Sequence, residues 1–212
     1  MLIDLHVHTS FSPCSGITPQ QAVDAAVAAG LDGLCVTDHG TMGFASMLHR
    51  LVVPEGFLVG VGMEYATDEG DLLLFGIADP PPPAMDAGQV AGLVRKLGGA
   101  VILAHPDRIS RPGNKSLAAT GKVSGIEAVN GRNSSRENLS ACLWARGHAV
   151  RAVGGSDAHE PLEVGVVATR FSSPIRSMDD LVAALKVGVC FPEAGSGRPC
   201  PGPDVCGLEE RT

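Results

Sequence analysis

Long apolar runs are missing from this chain: none reaches the roughly 18 residues needed to cross a bilayer. An excess of positive charge is missing too. With 16 Lys and Arg against 23 Asp and Glu, the formal charge is −7. A pI of about 5.4 argues against non-specific binding to duplex nucleic acid or to an anionic membrane, both of which favour a basic face. Charged residues make up only 18% and aromatics 4% of the 212 residues. So little charge, with a mean hydropathy of +0.17, excludes a disordered chain, and the length suits one ordinary domain. The N-terminus lacks the charged patch and long apolar stretch of a secretory signal. Six scattered cysteines (Cys14, Cys35, Cys142, Cys190, Cys200 and Cys206) are weak evidence for disulfides in a chain of this length. Cys35 and Cys142 read as small buried hydrophobes. The expectation is a cytoplasmic, reduced protein.

What is present is an alternation of short β-rich runs and helical patterns. Strands are expected over residues 2–8, 33–37, 57–63, 71–77, 100–104, 126–129 and 150–154. Thr18-Pro19-Gln20-Gln21 supplies a hydroxyl N-cap, Pro at the first helical position and Gln at the third, and Gly30 suits the stop. Further helices are expected over 45–51, 86–97 and 134–146, and from Ser177 to Gly188. Residues 1–192 form one domain on this reading, and 193–212, rich in Gly, Pro and charge, a tail. The β-then-α order predicts an α/β fold with a mainly parallel sheet. Seven strands with few covering helices favour a closed, TIM-like β/α barrel over an open doubly wound sheet.

The polar residues fall at strand ends. His6 and His8 close the first strand, Asp38 and His39 the second, Glu64 the third; His105, Asn130, and Asp157 with His159 close later ones. In parallel βα folds all those ends lie on one face, so residues far apart in sequence converge on one pocket. Five of the seven histidines belong to this set; His49 and His148 lie elsewhere and read as structural. Imidazole with carboxylate is the ligand set of Zn²⁺, Mn²⁺ and Fe²⁺. Residues two apart on a strand share a face, so His6 and His8 point together into the mouth, and Asp157 and His159 repeat the spacing. This many ligands suits two or three metals with Glu64 bridging, an arrangement that activates water and clamps a phosphoryl oxygen. Arg108 and Arg132 lie in strand-end loops where a guanidinium fork would meet phosphate; Arg111 and Lys115 share the loop of Arg108.

The ordered set His6-Val7-His8-Thr9, Thr37-Asp38-His39, Glu64, His105-Pro106 and Gly155-Ser156-Asp157-Ala158-His159 resembles the motifs of the PHP (polymerase and histidinol phosphatase) family, spread over residues 2 to 190. The resemblance implies a distorted seven-stranded barrel whose two or three metals hydrolyse phosphate esters. It implies that His6, His8, Glu64 and Asp157 hold one metal, Glu64 and His105 a second, and His39 with His159 a third. Asp38 would orient an imidazole, and His159 would serve at the cluster as ligand or proton donor. Asn130, Arg132 and Arg108 are the expected substrate contacts. Histidinol phosphate, nucleotides and short oligonucleotides all fit as substrates.

Two departures from the family pattern stand out. Many members of the family carry an Asp or His soon after the first pair, where this chain has Ser10-Phe11-Ser12-Pro13-Cys14-Ser15, so Cys14 is the one soft donor there. Some members of the family place a His or Cys where Asn130 stands, and an amide is a poor zinc ligand. Two other readings compete. An amidohydrolase-like hydrolase shares His-x-His on a first strand but usually adds a bridging carboxylated Lys, and no Lys sits at a strand end here. A non-catalytic metal-binding module of the kind attached to polymerases is the third.

Overall fold

Short side chains and strong caps set the helices. The computed structural model describes residues 1–195. Helix α1 (Pro19–Ala28) starts on a capping box in which Thr18 and Gln21 satisfy each other's backbone N–H, and ends before Gly30 at φ +75°. Helices α2 (Ala87–Lys96) and α4 (Ser135–Gly147) begin on the same device, Asp86 with Gln89 and Ser134 with Glu137. Between them lies the single turn α3 (Ser116–Ala119), and α5 (Met178–Val187) is capped by Ser177. The expected helix near residue 45 is a 3₁₀ helix, Gly43–Arg50. No helix of the described residues is long and apolar enough to cross a membrane.

Nine strands, two more than the sequence suggests, form one sheet among the described residues. They are β1 (Leu2–Val7), β2 (Gly33–Val36), β3 (Leu58–Thr67), β4 (Gly70–Phe75), β5 (Ala100–Leu103), β6 (Gly125–Asn130), β7 (Ala152–Gly155), β8 (Val167–Phe171) and β9 (Cys190–Ala194). Their order is β7-β6-β5-β4-β3-β2-β1-β8-β9. Strand β4 runs antiparallel to both β3 and β5, and β8 antiparallel to β1; the remaining neighbours among β1–β7 are parallel. β8 and β9 form the pair the sequence reading did not register. Residue 193 lies inside β9, where Glu193 pairs with Ala168. The rest of the expected tail, with Cys200 and Cys206, lies outside the described residues apart from Ala194 and Gly195.

The sheet curls until β7 meets β1. Asp157 N–H donates to the His6 carbonyl at 2.7 Å and His8 N–H to the Ala158 carbonyl at 3.0 Å, so the exit of β7 is tied to the exit of β1. Lower down, the Thr169 hydroxyl of β8 donates to the Gly154 carbonyl (2.7 Å) and accepts from its N–H (2.9 Å), standing in for a ladder partner. Three apolar layers follow. Inside the barrel Ile3, Leu5, Leu73, Phe75, Ile102 and Val153 pack down onto Leu181 and Leu185 of α5, which closes the floor. Outside it, α2 and α4 cover Leu72, Leu74, Leu103 and Ile126, and α1 covers Val7, Leu34 and Val36. Cys35 and Cys142 are both buried; Cys35 is a free thiol as expected, whereas Cys142 is disulfide-bonded, against the expectation of reduced cysteines.

Two register shifts aim the polar residues inward. Asp4 pairs with Leu34 and Val7 with Val36, so three steps on β1 oppose two on β2. Strict alternation would place Leu5 inside and His6 outside. The extra residue resets the phase, so that Ile3 and Leu5 and then His6 and His8 all face the interior. The N–H of His6 donates to Asp4 Oδ1 at 3.2 Å, and Asp4 also accepts from the N–H groups of Ser156 and Gly165. Burial pushes the Asp4 carboxyl up to about 6 despite these bonds. A second shift, between Glu127 and Val129 of β6, turns both Glu127 and Asn130 inward.

Gly155 sits where these two shifts meet. A Cβ there would lie 2.5 Å from the His6 Cβ and 2.7 Å from Glu127 Oε1. Gly155→Ala is therefore expected to destabilise the fold by about 1–3 kcal/mol. Calorimetry would register this as a fall in Tm of about 2–4 °C per kcal/mol; an unchanged Tm would refute the close approach.

Candidate metal centre

The barrel mouth gathers four ligand atoms from β1, β3 and the exit of β7. His6 Nε2 lies 3.0 Å from His8 Nε2 and 3.3 Å from Glu64 Oε2, and 3.6 Å from Asp157 Oδ1. His8 Nε2 is 3.2 Å from both Glu64 Oε2 and Asp157 Oδ1. Bonds of about 2.0–2.1 Å around a tetrahedral zinc give ligand–ligand edges of about 3.3–3.4 Å. The observed edges bracket that value, so the four atoms fit one ion. The tautomer agrees. His6 Nδ1 lies 2.9 Å from Glu127 Oε1 and so carries the proton, which leaves the lone pair of Nε2 pointing into the group. Several lone pairs aimed at one point repel each other unless a cation sits between them.

Glu64 joins this position to two others. Its Oε1 lies 3.1 Å from His105 Nε2, and its Oε2 3.0 Å from His39 Nδ1. Glu64 does not close β3: it is embedded in the strand, opposite Leu73 of β4, with three further strand residues after it. His8, His39 and His159 bring ligand atoms within 4.8 Å of one another. His159 fixes Nδ1 on the Asp157 carbonyl at 2.9 Å, which leaves Nε2 with its lone pair. His8 belongs to two groups, and a neutral imidazole has one lone pair to give.

Electrostatics show how strongly the mouth demands positive charge. Burial disfavours a charged His6, yet Glu127, Asp157 and Glu64 together hold its pKa well above the ordinary value. His8 is raised in the same way, burial being outweighed by hydrogen bonds to Asp157 and Glu64. Burial would lift the Glu64 carboxyl, but His6, His105 and His39 hold it well below the usual range. Asp157 is likewise lowered against its burial, first by His6 and His8. A divalent ion meets the same demand without protons.

Two candidate ligands carry backbone strain. His105 has φ +28° and Asp157 φ +55°, in the left-handed region that non-glycine residues rarely adopt. Each such residue costs on the order of 1–3 kcal/mol and persists where surrounding bonds over-determine it. Here the N–H of His105 donates to Glu127 Oε2 at 3.0 Å, and that of Asp157 to His6 O.

Three carboxylates escaped the sequence reading. Glu127 is buried mid-strand and links His6, the N–H of His105 and the Asn130 amide (2.9 Å). Asp4 holds the β1 shift. Asp71, at the head of β4, groups with Glu64 and His105. A charged residue inside an otherwise apolar strand, as in Ile126-Glu127-Ala128-Val129, is the signal that could have found Glu127.

The remaining expected residues divide. Asp38 is buried but orients no imidazole directly: its carboxylate accepts from Thr9 N–H (2.7 Å), Thr9 Oγ1 (2.7 Å) and Ser12 Oγ (2.6 Å). The turn of residues 9–12 intervenes, and Ser12 Oγ is 3.5 Å from His8 Nδ1. Asn130 is fully engaged within the protein; its Oδ1 accepts from Arg108 (2.7 Å) and from Arg132 N–H (2.9 Å), and its Nδ2 faces Glu127 and Asp157. Arg108 does reach the centre, with Nη2 2.7 Å from Asp157 Oδ2 and Nε 2.9 Å from Asn133 Oδ1. The Arg132 guanidinium pairs with Glu163 at 3.1 Å, beside the N–H of His159 rather than among the ligand atoms. Cys14 is an exposed free thiol in none of the three groups that bring ligand atoms together.

Fold and site together define a barrel of the PHP-like metal-dependent hydrolase type. The family profile described as PHP domain matches residues 4–103, and that described as PHP-associated matches residues 135–190. The chain belongs to the PHP family, whose phosphoesterases use divalent metals. An uncharacterized protein of Methanocaldococcus jannaschii is 29% identical over 192 residues, 85% of this chain and 75% of that protein. A two-domain protein from Bacteroides vulgatus, containing a predicted PHP-like metal-dependent phosphoesterase, matches with TM-score 0.71 at 21% identity, over 92% of this chain and 65% of that one. The lesion-specific endonuclease PfuEndoQ of Pyrococcus furiosus matches with TM-score 0.66 at 16% identity, over 87% of this chain and 55% of that one. The chain spans less than two thirds of either solved chain, and at these identities the likeness is one of fold.

Because Glu127 fixes the His6 tautomer, Glu127→Gln is expected to weaken divalent-metal affinity by roughly 10–100-fold. Calorimetric titration of the metal-free protein checks this, and an unchanged affinity would remove Glu127 from the centre.

Proposed function

We propose that this chain hydrolyses phosphate esters, with two or three divalent ions (Zn²⁺, Mn²⁺ or Fe²⁺) at the barrel mouth. The observation that carries the reading is the convergence of His6, His8, Glu64 and Asp157 at near-tetrahedral spacing, with the Arg108 guanidinium beside it. In this reading His6, His8, Glu64 and Asp157 hold one ion, Glu64 and His105 a second, and His39 with His159 a third. When bound, such ions lower the pKa of water and draw charge from a phosphoryl oxygen.

The chain's own groups prepare the site. Glu127 keeps the proton on His6 Nδ1. Asp38 is a positioning residue, anchoring the turn of residues 9–12 against which His8 and His39 rest; His39 N–H donates to Ser12 Oγ at 2.9 Å. Asn130 orders Arg108, Glu127 and Asp157 and leaves substrate contact to Arg108. That guanidinium, partly exposed over the Asp157 carboxylate, commits Nε and Nη2 to Asn133, Asn130 and Asp157 and offers the two N–H groups of Nη1 to an arriving phosphate. Arg132 stands at the rim, free to exchange Glu163 for a substrate anion. The substrate class is a phosphorylated small molecule, a nucleotide or a short oligonucleotide; likeness of fold to a lesion-specific endonuclease supports the nucleic-acid end of that range. The acidic total still argues against non-specific duplex binding.

The test is a panel of phosphomonoesters and phosphodiesters with each metal supplied separately to chelator-treated protein. Hydrolysis is expected only with added metal. His8→Ala is expected to lower it by more than the roughly 10–100-fold typical of losing an outer partner. No turnover with any metal, alongside cleavage of amides, would move the chain to the amidohydrolase reading. Arg108→Ala is expected to reduce kcat/KM for phosphate esters by about 10–100-fold, the worth of one charge-assisted hydrogen-bonded contact, while metal content stays. Arg108→Lys should rescue it poorly, because an ammonium cannot hold Asn133, Asn130 and Asp157 at once and still present a donor to phosphate; full rescue would argue for a point charge only.

A further inference from the structure

The ion position served by His6, His8, Glu64 and Asp157 has four protein donors, whereas the position beyond Glu64 Oε1 has only Glu64 and His105. Two side chains are few for a transition-metal ion, which usually takes three or more from the protein. Asn130 does not fill the gap, since both ends of its amide are engaged elsewhere.

The missing donor is on β4. In the antiparallel β3–β4 register Glu64 opposes Leu73 and Ala66 opposes Asp71, which makes Asp71 the diagonal neighbour of Glu64 on the same inward face. Ala104 N–H donates to the Asp71 carbonyl at 2.9 Å, which draws the start of the His105 loop alongside. Asp71, Glu64 and His105 are all buried, and a ligand atom of each lies within 4.8 Å of the others. Two opposed bonds of about 2.1 Å span about 4.2 Å, so at most a sub-ångström closure brings the three onto one ion.

Arg111 accounts for the presence of this carboxylate in the mouth. Its Nε lies 3.2 and 3.0 Å from Asp71 Oδ1 and Oδ2, its Nη2 is 2.7 Å from Oδ1, and Nη2 also donates to the Thr67 carbonyl at 2.9 Å. A guanidinium held this way fixes the carboxylate rotamer and balances its charge. It leaves lone pairs on both oxygens for a second partner. We infer that Asp71 is the third ligand of the ion position formed with Glu64 and His105, and that Arg111 is the positioning residue that holds it there. The inference rests on the metal-dependent reading above.

Chelator-treated protein is titrated with Mn²⁺ or Zn²⁺, and retained ions are counted by elemental analysis after gel filtration. Asp71→Asn and Arg111→Ala both break the ion pair, but only the first removes a donor. Asp71→Asn is expected to retain one ion fewer than wild type, or to bind that ion at least about tenfold more weakly. Arg111→Ala is expected to keep the full count but to bind that ion more weakly than wild type and more tightly than Asp71→Asn, because it frees the Asp71 carboxylate without removing the donor. The double variant Asp71→Asn/Arg111→Ala leaves no unpaired charge behind and serves if the single variant does not fold; it too should lose one ion. Full retention by Asp71→Asn would overturn the inference, and so would equal loss in Arg111→Ala, which would make the pair a structural strut. Wild-type protein that retains no divalent ion would instead sink the phosphoesterase reading.

Discussion

Everything at the mouth of this barrel follows from one electrostatic constraint: Glu64, Glu127 and Asp157 are buried together and almost wholly removed from solvent. Three carboxylates in so confined a space would be prohibitive unless matched by positive charge. Four imidazoles (His6, His8, His39 and His105) and one guanidinium lie directly against them, and both His6 and His8 are biased towards protonation. A cage that pulls protons onto histidine in this way is one poised to exchange them for a metal.

The same constraint explains the irregularities of the fold. The shifts in β1 and β6, the left-handed backbone at His105 and Asp157 and the glycine at 155 all lie within the walls of the cage. None improves the sheet as a sheet; a regular ladder would be cheaper locally. They persist because interior packing below, from Ile3 and Leu5 to the floor formed by α5, holds the frame while the upper turn of each strand is bent towards the centre. Stability is thus concentrated at the bottom of the barrel and function at the top, where the strand ends leave room for side chains from distant parts of the chain.

Much of the centre was legible in the residues. His6-x-His8 and Asp157-x-His159 announce themselves by type and spacing, and His105 by its place after an apolar strand. The structure brings all of them to one mouth. What stayed hidden has a physical cause in each case. Glu127 and Asp71 are embedded in strands, and a lone carboxylate in an apolar run does not say which neighbour neutralises it. Strands β8 and β9 were missed because their polar and proline-containing runs, Val167-Ala168-Thr169-Arg170-Phe171 and Cys190-Phe191-Pro192-Glu193-Ala194, carry no clean alternation; their pairing comes from the open edge of β1. The family resemblance gives Asp38 the orienting of an imidazole without saying through what; its carboxylate accepts from the hydroxyls of Thr9 and Ser12, and Ser12 stands between it and His8.

By itself the amino-acid sequence determined the supply of imidazole and carboxylate groups, the βα rhythm and the face on which those groups gather, because side-chain type and strand polarity are local properties. Only the tertiary structure decided which oxygen faces which nitrogen, and that Arg108 serves Asp157 while Arg111 serves Asp71. It also placed Glu127 behind His6. Those choices depend on the register between strands far apart in the chain, where a shift of one residue reverses the direction of every side chain beyond it.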